Sequence, residues 1–124
     1  MAPSADDIRK TVTKYLEAVA KGTVDDVLAL FANGAMIEDP VGTDPRTTTA
    51  SIREFYAVVE PLEQSAELVT LRIAGNEAAF QFSLVTHLGK QSMELSPIDV
   101  MTFDDEGKIL TMRAFWSQED MITR

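Results

Sequence analysis

Residues 78–88, Ala78-Ala79-Phe80-Gln81-Phe82-Ser83-Leu84-Val85-Thr86-His87-Leu88, set Ala78, Phe80, Phe82, Leu84 and Leu88 against Gln81, Ser83 and His87. This period of two is the signature of a strand with one buried face. Gly75-Asn76 before it and Gly89-Lys90 after it are hairpin-turn signals, so strands are expected on both sides. Residues 66–74 read as the preceding strand and residues 91–103 as the following one. After the turn at 104–107, residues 108–116 read as the last strand, with Leu110, Met112, Ala114 and Trp116 sharing a face.

The first half of the chain has helical spacing instead. Ser4 with Asp7 marks a helix start, and Ile8, Val12, Tyr15, Leu16 and Val19 recur on one stripe until Gly22. Thr23 with Asp26 predicts a second helix carrying Val24, Val27, Leu28 and Phe31 as far as Asn33-Gly34. A short strand over 35–40 follows. Ile52, Phe55, Tyr56 and Val59 predict a third helix, limited by Pro61. Helices first and hairpin-linked strands afterwards imply an α+β fold, with three N-terminal helices packed on a curved, mainly antiparallel sheet as one domain over 1–124. A twisted sheet wrapped around helices leaves a cone open at one end, a usual place for a ligand pocket.

Composition narrows the partners. Eleven Lys and Arg against 20 Asp and Glu give a formal charge of −9, which disfavours nucleic acid and anionic membranes. The absence of cysteine excludes disulfides and thiol chemistry. No apolar run approaches the ~20 residues of a membrane span, and residues 1–10 lack the pattern of a signal peptide, so a cytoplasmic protein is expected.

Polar residues on an apolar face are the informative ones. In 91–103 the odd positions run Met93, Leu95, Pro97, Asp99, Met101, Phe103, which places Asp99 on the apolar face. With no Lys or Arg on that face, desolvation favours a neutral carboxyl. Pro97 removes a ladder donor and could shift the alternation by one residue. In 35–40, Ala35, Ile37 and Asp39 share a face, so Asp39 is a candidate for pointing inward at a strand end. Tyr15 and Tyr56 add phenols to apolar helix stripes. Two carboxylates and a phenol converging in an apolar cavity form an acid/base site. Each residue also has an ordinary role: Asp39 before Pro40-Val41-Gly42 as a turn former, and the tyrosines as core residues with satisfied hydroxyls. His87 falls on the polar face, a lone histidine is a poor start for a metal site, and Asp104-Asp105-Glu106-Gly107 lacks calcium-loop spacing. No metal or other cofactor is expected.

The segments Ala29-Leu30-Phe31-Ala32, Glu38-Asp39-Pro40-Val41-Gly42, Ile52-Arg53-Glu54-Phe55-Tyr56, Asn76-Glu77-Ala78-Ala79-Phe80 and Pro97-Ile98-Asp99 occur in an order and at intervals that resemble the bacterial steroid Δ5-isomerases, or ketosteroid isomerases. The resemblance covers essentially the whole chain. It implies a cone-shaped fold of the nuclear-transport-factor-2-like (NTF2-like) type, a homodimer, a neutral steroid substrate and cofactor-free transfer of a proton from C4 to C6. It further implies Asp39 as general base, Tyr15 and Asp99 as oxyanion donors, Tyr56 as support for Tyr15, and Phe82, Met101, Phe103, Met112 and Trp116 as a steroid-contacting wall. Some members carry another supporting tyrosine on the second helix, where this chain has Phe31. Related cone-shaped domains act instead as cyclases, dehydratases, epoxide hydrolases or binding modules, the alternative for this chain.

Overall fold

A computed structural model describes residues 3–124. Helices α1 (Ala5–Lys21) and α2 (Val24–Leu28) lead into strand β1 (Phe31–Glu38), helix α3 (Thr49–Val59), strands β2 (Glu63–Ala74), β3 (Glu77–Leu88), β4 (Gln91–Leu95), β5 (Ile98–Phe103) and β6 (Ile109–Phe115), a single 3₁₀ turn, and β7 (Ile122–Thr123). The helix starts use the expected side chains. Ser4 Oγ accepts from the Asp7 N–H at 3.1 Å, Thr23 and Asp26 close a capping box, and Thr48 and Ser51 close another.

The strands form one curved, open sheet in the order β1-β6-β5-β3-β4-β7, with β2 along the other edge of β3. β1 and β6 run parallel and every other pair runs antiparallel. Ile8, Val12, Tyr15 and Leu16 of α1 and Ile52 and Tyr56 of α3 are buried with Ile37, Phe80, Met101, Phe103, Ile109 and Met112 of the sheet. The architecture is the α+β arrangement that the hydrophobic periods imply.

Four local readings are corrected. The second helix stops at Leu28 instead of reaching Asn33-Gly34, because Leu30 O accepts the Ile109 N–H at 2.9 Å and Phe31 pairs with Ile109. The strand expected at 35–40 therefore begins at Phe31 and ends at Glu38, and Gly34, at φ 76°, sits in an irregularity within it. The strand expected at 91–103 is two, interrupted at Ser96-Pro97. The interruption preserves register: Leu84 pairs with Leu95 and Gln81 with Ile98, so two residues on β3 face two between β4 and β5. Alternation thus runs unbroken across Pro97, and Asp99 stays on the inner face. In β6 the pairing shifts between Thr102 and Phe103, which turns Ile109 inward and takes Leu110 off the face of Met112 and Ala114.

Candidate active site

Sheet register assembles the site. Asp99 on β5 lies opposite Phe80 on β3 and Ala114 on β6. On the far side of β6, Glu38 pairs with Arg113, so Asp39, the next residue, comes level with Ala114. The Val41 N–H donates to Ala114 O at 2.8 Å and holds the turn after Asp39 against β6. Two carboxylates therefore flank one alanine.

Their surroundings differ. Asp99 is 2% exposed, and its Oδ1 is buried without a hydrogen-bond partner. Burial pushes its carboxyl well above the ordinary carboxylate range, and the charge of Asp39 pushes it further. Asp39 is half-buried and accepts the Trp116 indole N–H on Oδ1 at 2.7 Å. Burial raises its pKa too, while the Trp116 hydrogen bond opposes the rise. Glu38 turns the other way, to Arg113 Nε at 2.9 Å, and this hydrogen bond lowers its pKa. A pocket of about 270 Å³ lined by Ile37, Asp39, Thr43, Asp44, Arg46 and Phe55 reaches Asp39. A larger open cleft of about 610 Å³, lined on one side by the acidic turn 104–106, contains none of these carboxylates.

The helices bring the phenols. Tyr15 and Tyr56 are buried, with hydroxyls 2.7 Å apart. Burial holds both phenols well above their ordinary pKa, and the nearby aspartates add to the rise. Both hydroxyls therefore remain protonated donors at neutral pH. Phe31 packs edge-on to Tyr15 and tilted against Tyr56, at centroid distances of 6.3 and 6.1 Å. It does so from β1, not from the second helix.

The five expected wall residues separate. Phe82 and Trp116 lie beyond the Asp99 row on one side. Met101 and Met112, paired and wholly buried, form the next row on the other side, and Phe103 lies one row beyond them. The family resemblance implies only a wall role for Trp116. Its hydrogen bond to Asp39 depends on parallel pairing of β1 with β6, two segments about 75 residues apart, for which the sequence carries no local signal. His87 is exposed, as its alternation implies.

The carboxyl of Asp99 has a measurable linkage. A group whose folded pKa exceeds its unfolded value near ~3.9 contributes stability in full below that value and loses it as pH rises through the folded pKa. Urea unfolding from pH 4 upward should therefore show the wild type losing stability relative to Asp99→Asn, with the gap widening as pH rises. A pH-independent gap would contradict a protonated Asp99.

The sequence profile of the SnoaL-like domain matches residues 12–112. A steroid Delta-isomerase of Nocardioides simplex is 43% identical over 116 residues, 94% of each chain. Among solved structures, SalBIII, an epoxide hydrolase/cyclase-like enzyme of pyran ring formation in polyether salinomycin, superposes with a TM-score of 0.86 at 30% identity, covering 94% of this chain and 95% of that one. RV0760c from Mycobacterium tuberculosis shares the fold, with a TM-score of 0.89 at 17% identity over 98% and 99% of the two chains. The parallel β1–β6 pair, the antiparallel strands beyond it and the three covering helices are thus a family architecture, and the chain belongs to the SnoaL-like domain family as a relative of the steroid Delta-isomerases.

Proposed function

We propose that this chain is a cofactor-independent steroid Δ-isomerase that converts 3-oxo-Δ5-steroids into 3-oxo-Δ4-steroids. The observation that carries the reading is the pair of carboxylates across Ala114, one half-buried and hydrogen-bonded, the other sealed in without a partner. The Asp39 carboxylate removes a proton from C4. The electron pair moves through the C3 carbonyl to give a dienolate with its charge on the C3 oxygen. Tyr15 O–H and protonated Asp99 donate to that oxygen, with Tyr56 holding the Tyr15 hydroxyl. Asp39 returns the same proton to C6, and the double bond ends in conjugation between C4 and C5. Composition is unchanged, so no co-reactant is required. Trp116 positions the carboxylate, and its N–H limits how far burial raises the pKa of the base.

The active form is proposed to be a homodimer packed through the outer sheet face. Ile98 and Phe115 support this: they are paired in register, 46% and 42% exposed, on the face opposite Asp99 and Ala114. The structural likeness to SalBIII favours a second reading in which the paired acids open an epoxide or close a ring.

Mixing the protein with 5-androstene-3,17-dione should produce the ultraviolet absorbance of a conjugated enone. Asp39→Asn should lower kcat by about 10²- to 10⁴-fold with an unchanged circular dichroism spectrum. Asp99→Leu and Tyr15→Phe should each lower it by about 10²- to 10³-fold while steroid binding changes little. No absorbance change with the wild type would favour the second reading. Trp116→Phe removes a hydrogen bond that lowers the Asp39 pKa, so the acid limb of its kcat/KM profile should move to higher pH; an unmoved limb would deny Trp116 that role. Sedimentation equilibrium should give about twice 13.7 kDa, and Phe115→Arg should shift the mass toward that of one chain; a monomeric wild type would refute the dimer.

A further inference from the structure

Among the described residues, two buried side chains, Asp99 and Gln64, each have a buried oxygen with no hydrogen-bond partner. Asp99 Oδ1 belongs to the site above. Gln64 Oε1 has no role in it. Gln64 stands near the start of β2, 7% exposed, and its Nε2 donates to Thr86 Oγ1 at 2.9 Å. That bond anchors the amide and leaves its carbonyl oxygen as an unused acceptor.

Register defines where this acceptor lies. Gln64 pairs with Thr86, Ala66 with Leu84 and Leu68 with Phe82, while Phe80, on the same face of β3, pairs with Asp99. Gln64 and Asp99 therefore share the concave face of the sheet, three rows apart. Six residues of strand separate Thr86 from Phe80, a contour of about 20 Å. The rows between are apolar: Phe82 with Leu68, then Leu84 with Ala66 and Leu95. An apolar strip of the inner sheet face thus separates a carboxyl that donates from an amide that accepts.

We infer that Gln64, anchored by Thr86, is a specificity residue that accepts a hydrogen bond from a hydroxyl at the end of the ligand remote from its carbonyl. The inference rests on the isomerase reading for the carbonyl end. The substrate class is then a rigid, elongated 3-oxo-steroid hydroxylated on or near its five-membered ring. A hydroxyl satisfies the amide oxygen; an oxo group offers it no proton and a hydrocarbon end leaves it unpaired.

The chain holds a single tryptophan, Trp116, beside Asp39, so its fluorescence reports binding without turnover. Titration with three 3-oxo-Δ4-steroids that carry hydroxyl, oxo or hydrogen at C17 separates the cases. The wild type should bind the 17-hydroxy compound about 3- to 10-fold more tightly than the other two, the factor supplied by one neutral hydrogen bond. Gln64→Met, which keeps length and loses the acceptor, should reduce that ratio to about one, and Thr86→Val, which frees the amide, should reduce it in part. A wild type without the preference, a preference for the 17-oxo compound, or a ratio unchanged in Gln64→Met would overturn the inference. Failure of the isomerase reading has a different signature: selective binding without isomerisation of the matching Δ5-steroids removes the proposed reaction and leaves the Gln64 assignment standing, whereas no binding of any of the three removes both.

Discussion

An acid sealed into an apolar sheet face without a cation constrains the rest of this structure. Asp99 is as buried as the phenylalanine beside it, and an ionised carboxylate there would bear a desolvation cost that nothing on that face repays. The arginine nearest in register, Arg113, pairs with Val100 and points to the opposite face, where it holds Glu38 and lies 5.2 Å from the Phe115 ring centroid. Asp99 therefore keeps its proton and becomes a donor. The fold bears this group because the surrounding rows of Phe80, Met101 and Met112 supply a large buried apolar area.

Asp39 shows how little separates a base from an acid of the same residue type. Both carboxylates sit level with Ala114, and burial raises the pKa of both. Asp39 lies past the end of β1, half-open to a pocket, and receives one indole N–H. The two titrate as a pair, because ionising either raises the cost of ionising the other. The first proton leaves where solvent and Trp116 support the charge, at Asp39, and that charge then holds the second proton on Asp99. Ionisation of the base and protonation of the acid are one electrostatic state.

Much of this was legible in the sequence because alternation survives wherever register survives. Asp99 was placed correctly although Pro97 splits its strand, since the split leaves the pairing count with β3 unchanged. Leu110 was misplaced because an irregularity in β6 alters that count, and nothing in Ile109-Leu110-Thr111 marks it. Leu28 and Phe31 have helical spacing, yet the backbone of Leu30 is taken by Ile109, a partner about 80 residues away, and that tertiary bond ends the helix. The bond from Trp116 to Asp39 shares this cause: it needs two distant segments to meet, and a period read along one segment contains no information about the other. The Gln64–Thr86 pair spans the 75–76 hairpin, beyond a register shift between Leu68 and Thr70 that the alternation does not mark.

The charge state of the pair also restricts what can occupy the cone. The chain carries a formal charge of −9, and Asp39 adds a negative group at the site itself, so an anionic ligand would meet repulsion from the field and from the base. A cationic ligand would be drawn in and would undo the arrangement: a positive charge beside Asp99 stabilises its carboxylate, releases its proton and removes the donor. A ligand without charge leaves both groups as they are. If it becomes negative only during the reaction, at an atom within reach of Asp99, the proton held there meets charge that did not exist when the ligand bound, and the resulting stabilisation belongs to the transition state and not to the ground state.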